Sequence, residues 1–154
     1  MTVADFGSGM GHYALAVSKL VGDTGRVYAL DIQKEIVESL AREARHQHIR
    51  NLDTLWVDLE KAGGSHLRPH TIDRALLINV LFQVKHKEIV IQEIARILRP
   101  NGKVLMIDWT DSSRGVGPSA SEAVSEMSAK ELFERNGFSL DKPILAGAHH
   151  YGLI

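Results

Sequence analysis

Val3-Ala4-Asp5-Phe6-Gly7-Ser8-Gly9-Met10-Gly11-His12-Tyr13-Ala14-Leu15-Ala16 reads as a short buried strand, a turn with three alternate glycines, and the first turn of an amphipathic helix. Glycines at this spacing let the backbone pass close to a ligand, at dihedral angles a side chain would forbid. The helix that follows points its free N–H groups back into the same crevice. Such a turn belongs at the ligand end of an α/β sheet, at the carboxyl edge of its first strand.

Outward from this turn the chain alternates between strand and helix patterns. A helix is expected over residues 11–20, with Tyr13, Ala14, Ala16, Val17 and Leu20 on its buried face. A second strand, residues 25–31, ends in Asp31, and a helix then runs to about His46 with Ile36, Val37, Leu40 and Ala44 inward. A third strand, residues 54–58, also ends in an acid, Asp58. Residues 60–71, with paired glycines and Pro69, read as a surface loop or frayed helix. The continuous apolar run over residues 72–79 suits a central parallel strand. A helix over residues 86–98 and a strand over residues 103–109 follow. Residues 110–120 form a Ser- and Gly-rich loop over the ligand edge, and Ser128-Ala129-Lys130-Glu131 reads as a capping box for a helix ending at Asn136-Gly137. The last two strands are expected over residues 138–145 and 149–154, joined directly, so the final strand turns antiparallel. A surface strand is the preferred reading of His149, His150 and Tyr151 there, with a pocket-facing position as the alternative.

These features together resemble motifs I to III of the class I S-adenosylmethionine-dependent methyltransferases, of the UbiE-like small-molecule type. Asp5 stands two residues before the first glycine, giving Asp-x-Gly-x-Gly-x-Gly, and Asp31 and Asp58 close the next two strands. The passage Arg99-Pro100-Asn101-Gly102 resembles the family's Pro-Gly-Gly turn, with Asn101 in the first glycine position, where asparagine tolerates left-handed dihedrals. The resemblance runs from Val3 to Ile154. It implies one domain over residues 1–154: an α/β, doubly wound, mostly parallel seven-stranded sheet with an antiparallel C-terminal strand. It implies S-adenosyl-L-methionine as cofactor and S-adenosyl-L-homocysteine as product. The residues it assigns to that cofactor are Asp5, Gly7, Ser8, Gly9 and Gly11 in the turn, Asp31 and Ile32 for the ribose and its surroundings, Asp58 and Leu59 for the adenine, and Asn79 near the methyl group. Asp31 also suits a helix N-cap, and the two roles are compatible.

On the acceptor side the resemblance assigns no catalytic residue, and Asn79, Asp108 and Trp109 stand as candidates, with Thr110 and Asp111 beside them. Asn79-Val80-Leu81-Phe82 lacks the paired prolines of members that methylate exocyclic amines. Gln83 occupies the place where many small-molecule members carry histidine, which removes the obvious general base. The acceptor is left open among small molecule, tRNA and protein. A non-catalytic adenosine-binding subunit and an NAD-binding oxidoreductase are the alternatives.

Composition sets further bounds. The 18 basic and 19 acidic residues nearly cancel, so no global field draws the chain to nucleic acid or membrane. The absence of cysteine excludes disulfides and thiolate chemistry. Eight scattered histidines show no zinc-ligand spacing, so no metal is expected. No apolar run reaches a membrane span of ~18 residues, and a cytoplasmic protein is the expectation. The first strand starts at Thr2, with none of the covering helix usual in the family. The strands over residues 72–79 and 103–109, apolar on both faces, would then be partly bare on one side. Two copies are expected to pair over that face, a truncated chain being the alternative.

Overall fold

The run Ala75-Leu76-Leu77-Ile78 shows no polar alternation because it lies mid-sheet, with apolar partners above and below. The structure, a computed structural model, describes residues 1–110 and 117–154. Its elements are β1 (Thr2–Phe6), α1 (His12–Val21), β2 (Arg26–Asp31), α2 (Lys34–His46), β3 (Leu52–Trp56), β4 (Ile72–Ile78), α3 (Lys87–Ile97), β5 (Leu98–Trp109), α4 (Glu126–Arg135), β6 (Pro143–Leu145) and β7 (His150–Leu153). The strands form one seven-stranded sheet in the order β3-β2-β1-β4-β5-β7-β6. The first five pair in parallel, and β7 runs antiparallel to both β5 and β6. Strand order reverses between β1 and β4, so the carboxyl ends of these two strands flank the crevice where such sheets bind ligands.

Side chains of each strand alternate between two cores. One face gathers Phe6, Leu30 and Leu77 against Ile91 and Ile94 of α3 and Leu132 and Phe133 of α4. The other packs Val3, Val27, Leu76 and Ile78 against Ala14 of α1 and Leu40 and Ala44 of α2.

The expected boundaries need five corrections. β3 is Leu52–Trp56 and not residues 54–58, so Asp58 lies two residues past the strand, where the Val57 amide turns the chain onto the Asp31 carbonyl. In α1 the inward residues are Ala14 and Ser18, while Tyr13 is 42% and Leu20 83% exposed. The helix start runs so close to α2 that a Cβ on Gly11 would stand 2.1 Å from Leu40 Cδ1. β5 starts at Leu98, because the Arg99–Gly102 turn is absorbed into the strand as an irregularity, with Asn101 at φ 65°. α4 starts at Glu126: Ser125 is its cap, accepting from the Ser128 N–H at 3.1 Å, so Ser128 is a donor in the first turn. β6 is confined to Pro143–Leu145, since Phe138 leaves the sheet to pack edge-on against Phe133, with ring centroids 5.3 Å apart.

The loop over residues 57–71 is held to α3 by a buried ion pair. Glu93 accepts two bonds from Arg96, both 2.7 Å, and two more from the backbone and hydroxyl of Ser65. Arg96 also donates to the Leu67 carbonyl at 2.8 Å. Burial alone would raise the Glu93 carboxyl, but the Arg96 and Ser65 bonds outweigh it and hold it below its ordinary range. Removing Glu93 leaves the buried Ser65 amide and hydroxyl without their acceptor, while Arg96, a third exposed, keeps access to solvent. Glu93→Ala is expected to lower unfolding free energy by about 2 kcal/mol in urea titration, well beyond an exposed-surface substitution.

Candidate cofactor and acceptor site

The glycine turn is held from β2. Gly7 and Ser8 both donate to the Leu30 carbonyl, at 2.8 and 2.9 Å. One oxygen of Asp31 accepts the Gly9 N–H at 2.8 Å, and the other accepts the Gln33 N–H at 2.9 Å. A carboxylate 6% exposed thus joins the turn after β1 to the start of α2. Two glycines are required for different reasons. Gly7, at φ 73°, faces Val80, whose Cγ2 would lie 2.4 Å from an added Cβ. Gly9, at φ 51°, meets nothing within 4 Å, so its missing side chain leaves the floor of the crevice open.

Several polar atoms at this sheet edge are closed off from solvent yet unpaired. Among the described residues, Asp5 Oδ2, Ser8 Oγ, Asn79 Oδ1 and His150 Nε2 have no hydrogen-bond partner. Leaving such a group unsatisfied costs about 1–3 kcal/mol, which marks each as a place for a ligand atom. Asp5 ends β1 and is 2% exposed; burial, and then the neighbouring Asp31 charge, push its carboxyl up to about 7, against a smaller opposing effect of the Ala14 N–H. Asn79, just past β4, takes a left-handed φ of 57°, with its N–H on the Ile107 carbonyl at 2.9 Å.

The adenine-side residues stand beyond β2 and β3. Ile32 is 59% exposed, and its carbonyl accepts the Trp56 indole N–H at 2.9 Å. Val57 donates to the Asp31 carbonyl at 2.9 Å, which keeps Asp58 and buried Leu59 beside the tip of β2. Asp58 accepts the Glu60 N–H at 3.0 Å and lies 3.2 Å from Lys61 Nζ. The turn, Asp31, Ile32, Asp58, Leu59 and Asn79 all gather along the carboxyl edge of β1–β4.

Asp108, Trp109 and Thr110 lie farther along the same edge, and Asp111 falls outside the described residues. Asp108 is buried and its oxygens are taken by backbone: Oδ1 accepts from Trp109 at 2.8 Å and Oδ2 from Phe82 at 3.3 Å. Burial raises its carboxyl, with the Trp109, Phe82 and Leu81 N–H groups and His150 pulling the other way. It therefore fixes the loop after β4. Trp109 is packed between two neighbours. The His150 ring lies 4.2 Å away, and a Cβ on Gly117 would stand 2.7 Å from Trp109 Cε3.

His150 and Tyr151 do not form the expected surface strand. Tyr151 is buried, its hydroxyl donating to the Val124 carbonyl at 2.8 Å, and His150 Nε2 is enclosed. The reason is pairing. β7 lies between β5 and β6, with His150 opposite Trp109. Only that register, invisible in the linear sequence, carries the imidazole to the ligand edge.

Among the described residues, no His, Asp and Glu cluster could hold a metal and no helix is long and apolar enough to cross a membrane. A hollow of about 400 Å³ between α4 and the sheet, lined by Lys103, Met106 and Phe133, opens on the opposite edge.

A glycine turn clamped by an acid at the switch point of this sheet defines a nucleoside-binding α/β protein. The chain belongs to the methyltransferase-domain family: the family model described as a methyltransferase domain matches residues 1–141. It is of the class I, S-adenosylmethionine-dependent kind, with the sheet order and antiparallel closure expected of that class. A solved S-adenosylmethionine-dependent methyltransferase from Aquifex aeolicus superposes with a TM-score of 0.90 at 27% identity, covering 99% of this chain and 80% of that one. The ubiquinone/menaquinone biosynthesis C-methyltransferase UbiE of Haemophilus ducreyi is 26% identical over 111 residues, 70% of this chain and 41% of that protein. The 2-phytyl-1,4-naphtoquinone methyltransferase of Trichormus variabilis is 29% identical over 112 residues, 70% and 46% respectively. The chain thus spans less than half the length of these curated relatives.

The residues fit the cofactor. Asp5 offers one unpaired carboxyl oxygen for an ammonium, Asp31 has lone pairs to spare for hydroxyls, and Gly9 leaves room above the turn. An Asp5 carboxyl raised from 3.8 to about 7 costs the unliganded fold stability as pH rises between those values. A bound ammonium reverses this by favouring the ionised form. Affinity for S-adenosylhomocysteine is therefore expected to strengthen about tenfold from pH 6 to pH 8, and to be nearly flat in Asp5→Asn, as measured by titration calorimetry.

Proposed function

We propose that this chain transfers the methyl group of S-adenosylmethionine to a small hydroxylated ring of the quinol type. The Asp31 clamp carries the reading: one carboxylate holds the Gly9 and Gln33 amides and keeps its remaining lone pairs for a ribose diol. Asp5 then faces the amino group of the methionine moiety, Ser8 and Asn79 complete its polar surroundings, and Ile32 and Leu59 flank the adenine, whose amino group Asp58 accepts. The cofactor supplies an activated methyl on a sulfonium. The protein binds and orients it, lines up the acceptor and keeps water out. The ring acceptor rests on the names of the curated relatives, two of them quinone-pathway methyltransferases.

Calorimetry with S-adenosylhomocysteine tests the cofactor half, and tritiated-methyl transfer from S-adenosylmethionine to 1,4-dihydroxynaphthalene tests the acceptor. Asp31→Ala is expected to weaken S-adenosylhomocysteine by about 100-fold or more, the loss of two hydrogen bonds to a charged group. Binding without transfer to any acceptor would favour a non-catalytic subunit; preference for NADH would favour an oxidoreductase. Label in tRNA or protein would move the acceptor class.

The proposal includes pairing of two copies in a cytoplasmic setting. Leu105 and Ile107 of β5 are only half-buried, beside a hollow of about 330 Å³ lined by Val3, Val17 and Leu76. Sedimentation velocity is expected to give a dimer, and Leu105→Glu a monomer that still binds S-adenosylhomocysteine.

A further inference from the structure

We propose that His150 is the general base of the acceptor half-site, taking the proton that the acceptor must lose. The inference deepens the methyltransferase reading and rests on it.

The sequence offers no base after β4, where Gln83 sits with its amide tied to the Asn79 carbonyl at 2.6 Å. The fold brings an imidazole from elsewhere. Because β7 is antiparallel, its first residue lies at the carboxyl edge of its parallel neighbours, opposite Trp109 at the tip of β5. β4, β5 and β7 are adjacent strands. At roughly 4.8 Å per strand, His150 stands about 10 Å along the edge from Asn79. β5 stands between the two, so an acceptor reaching both would lie across its tip, over Asp108 and Trp109.

The unpaired atoms follow the same line. Asp5, Ser8 and Asn79 fall on the cofactor side, and His150 Nε2 is the member of the set beyond them. A buried nitrogen with no partner among the described residues gains one when a hydroxyl donor binds. Two neighbours equip it as a base. Trp109 packs against the ring at 4.2 Å, inclined at 39°, and fixes its orientation. Asp108 accepts the Trp109 and Phe82 amides and so holds the strand tip that carries Trp109 against the ring. Asp108 and Trp109, both sequence-level candidates, thereby act as positioning residues for His150.

The step balances. The acceptor O–H breaks and its proton goes to Nε2; the electron density released lets the ring carbon bond the methyl carbon, and the C–S pair stays on sulfur. Loss of the ring C–H proton to solvent restores the aromatic ring as its oxyanion, and the proton held on Nε2 then returns to that oxygen, regenerating the hydroxyl and the neutral imidazole.

The test uses the full chain with S-adenosylhomocysteine or S-adenosylmethionine, and 1,4-dihydroxynaphthalene as acceptor probe under anaerobic conditions. In the wild-type protein with S-adenosylhomocysteine bound, adding the probe is expected to move the ¹⁵N resonance of His150 Nε2. His150→Phe keeps a ring against Trp109 but no nitrogen. It is expected to bind S-adenosylhomocysteine within twofold of wild type, yet to lose about 100-fold or more in methyl transfer. His150→Gln, which restores a polar atom but no base, is expected to be equally slow. His149→Phe, altering the exposed neighbour, is expected to keep the wild-type rate. The proposal is overturned if His150→Phe transfers methyl within threefold of wild type, if the Nε2 resonance ignores the probe, or if the probe is neither bound nor methylated. Failure of the wild type to bind S-adenosylhomocysteine is a separate result, which removes the methyltransferase reading itself.

Discussion

The Asp31 carboxylate ties the far side of the glycine turn and the start of α2 to a strand tip that the Gly7 and Ser8 amides already grip through the Leu30 carbonyl. Its two oxygens accept the Gly9 and Gln33 amides, so the turn after β1 and the start of α2 are fixed to the tip of β2 by one side chain. Carboxylate-to-amide bonds are roughly twice as strong as neutral ones, and this carboxylate is nearly out of solvent. The glycine turn would otherwise be a loop with left-handed dihedrals and few contacts. With the clamp it becomes a fixed floor, open above Gly9 and backed by Val80 behind Gly7.

The same clamp creates an electrostatic tension. Asp31 lies close enough to Asp5 to oppose its ionisation, and burial opposes it more strongly. Two acids at the ends of adjacent strands are a poor arrangement for an empty protein and a good one for a ligand that brings a positive charge and hydroxyl donors. The unpaired oxygens of Ser8 and Asn79 belong to the same pattern. By contrast the buried Glu93–Arg96–Ser65 group is satisfied within the chain, and its work is to hold the loop after β3 against α3.

The site has two halves of unlike origin. The cofactor half comes from consecutive segments: β1 and its turn, the tip of β2, and the residues after β3. The acceptor half comes from β4, β5 and β7, whose residues are distant in the chain and meet only through strand pairing. Curated relatives match over less than half their own length. The family model covers residues 1–141, so the cofactor segments, β4 and β5 lie within the match, and β7 with His150 lies beyond it.

What the sequence alone determined was local or periodic. The alternation of strands and helices, the glycine turn, the acids closing β2 and following β3, and the left-handed Asn101 were legible because each depends on a few adjacent residues. The expected sheet, with its antiparallel last strand, followed from the order of these segments. Tertiary structure decided what depends on close approach. α1 turned Ala14 and Ser18 to the sheet, which leaves Tyr13 and Leu20 outward at about 100° per residue, and Asp108 spent its oxygens on the loop after β4. It also decided His150. A histidine in a terminal strand looks like surface until pairing sets β7 beside β5, and register is a property of two strands that neither one's sequence contains.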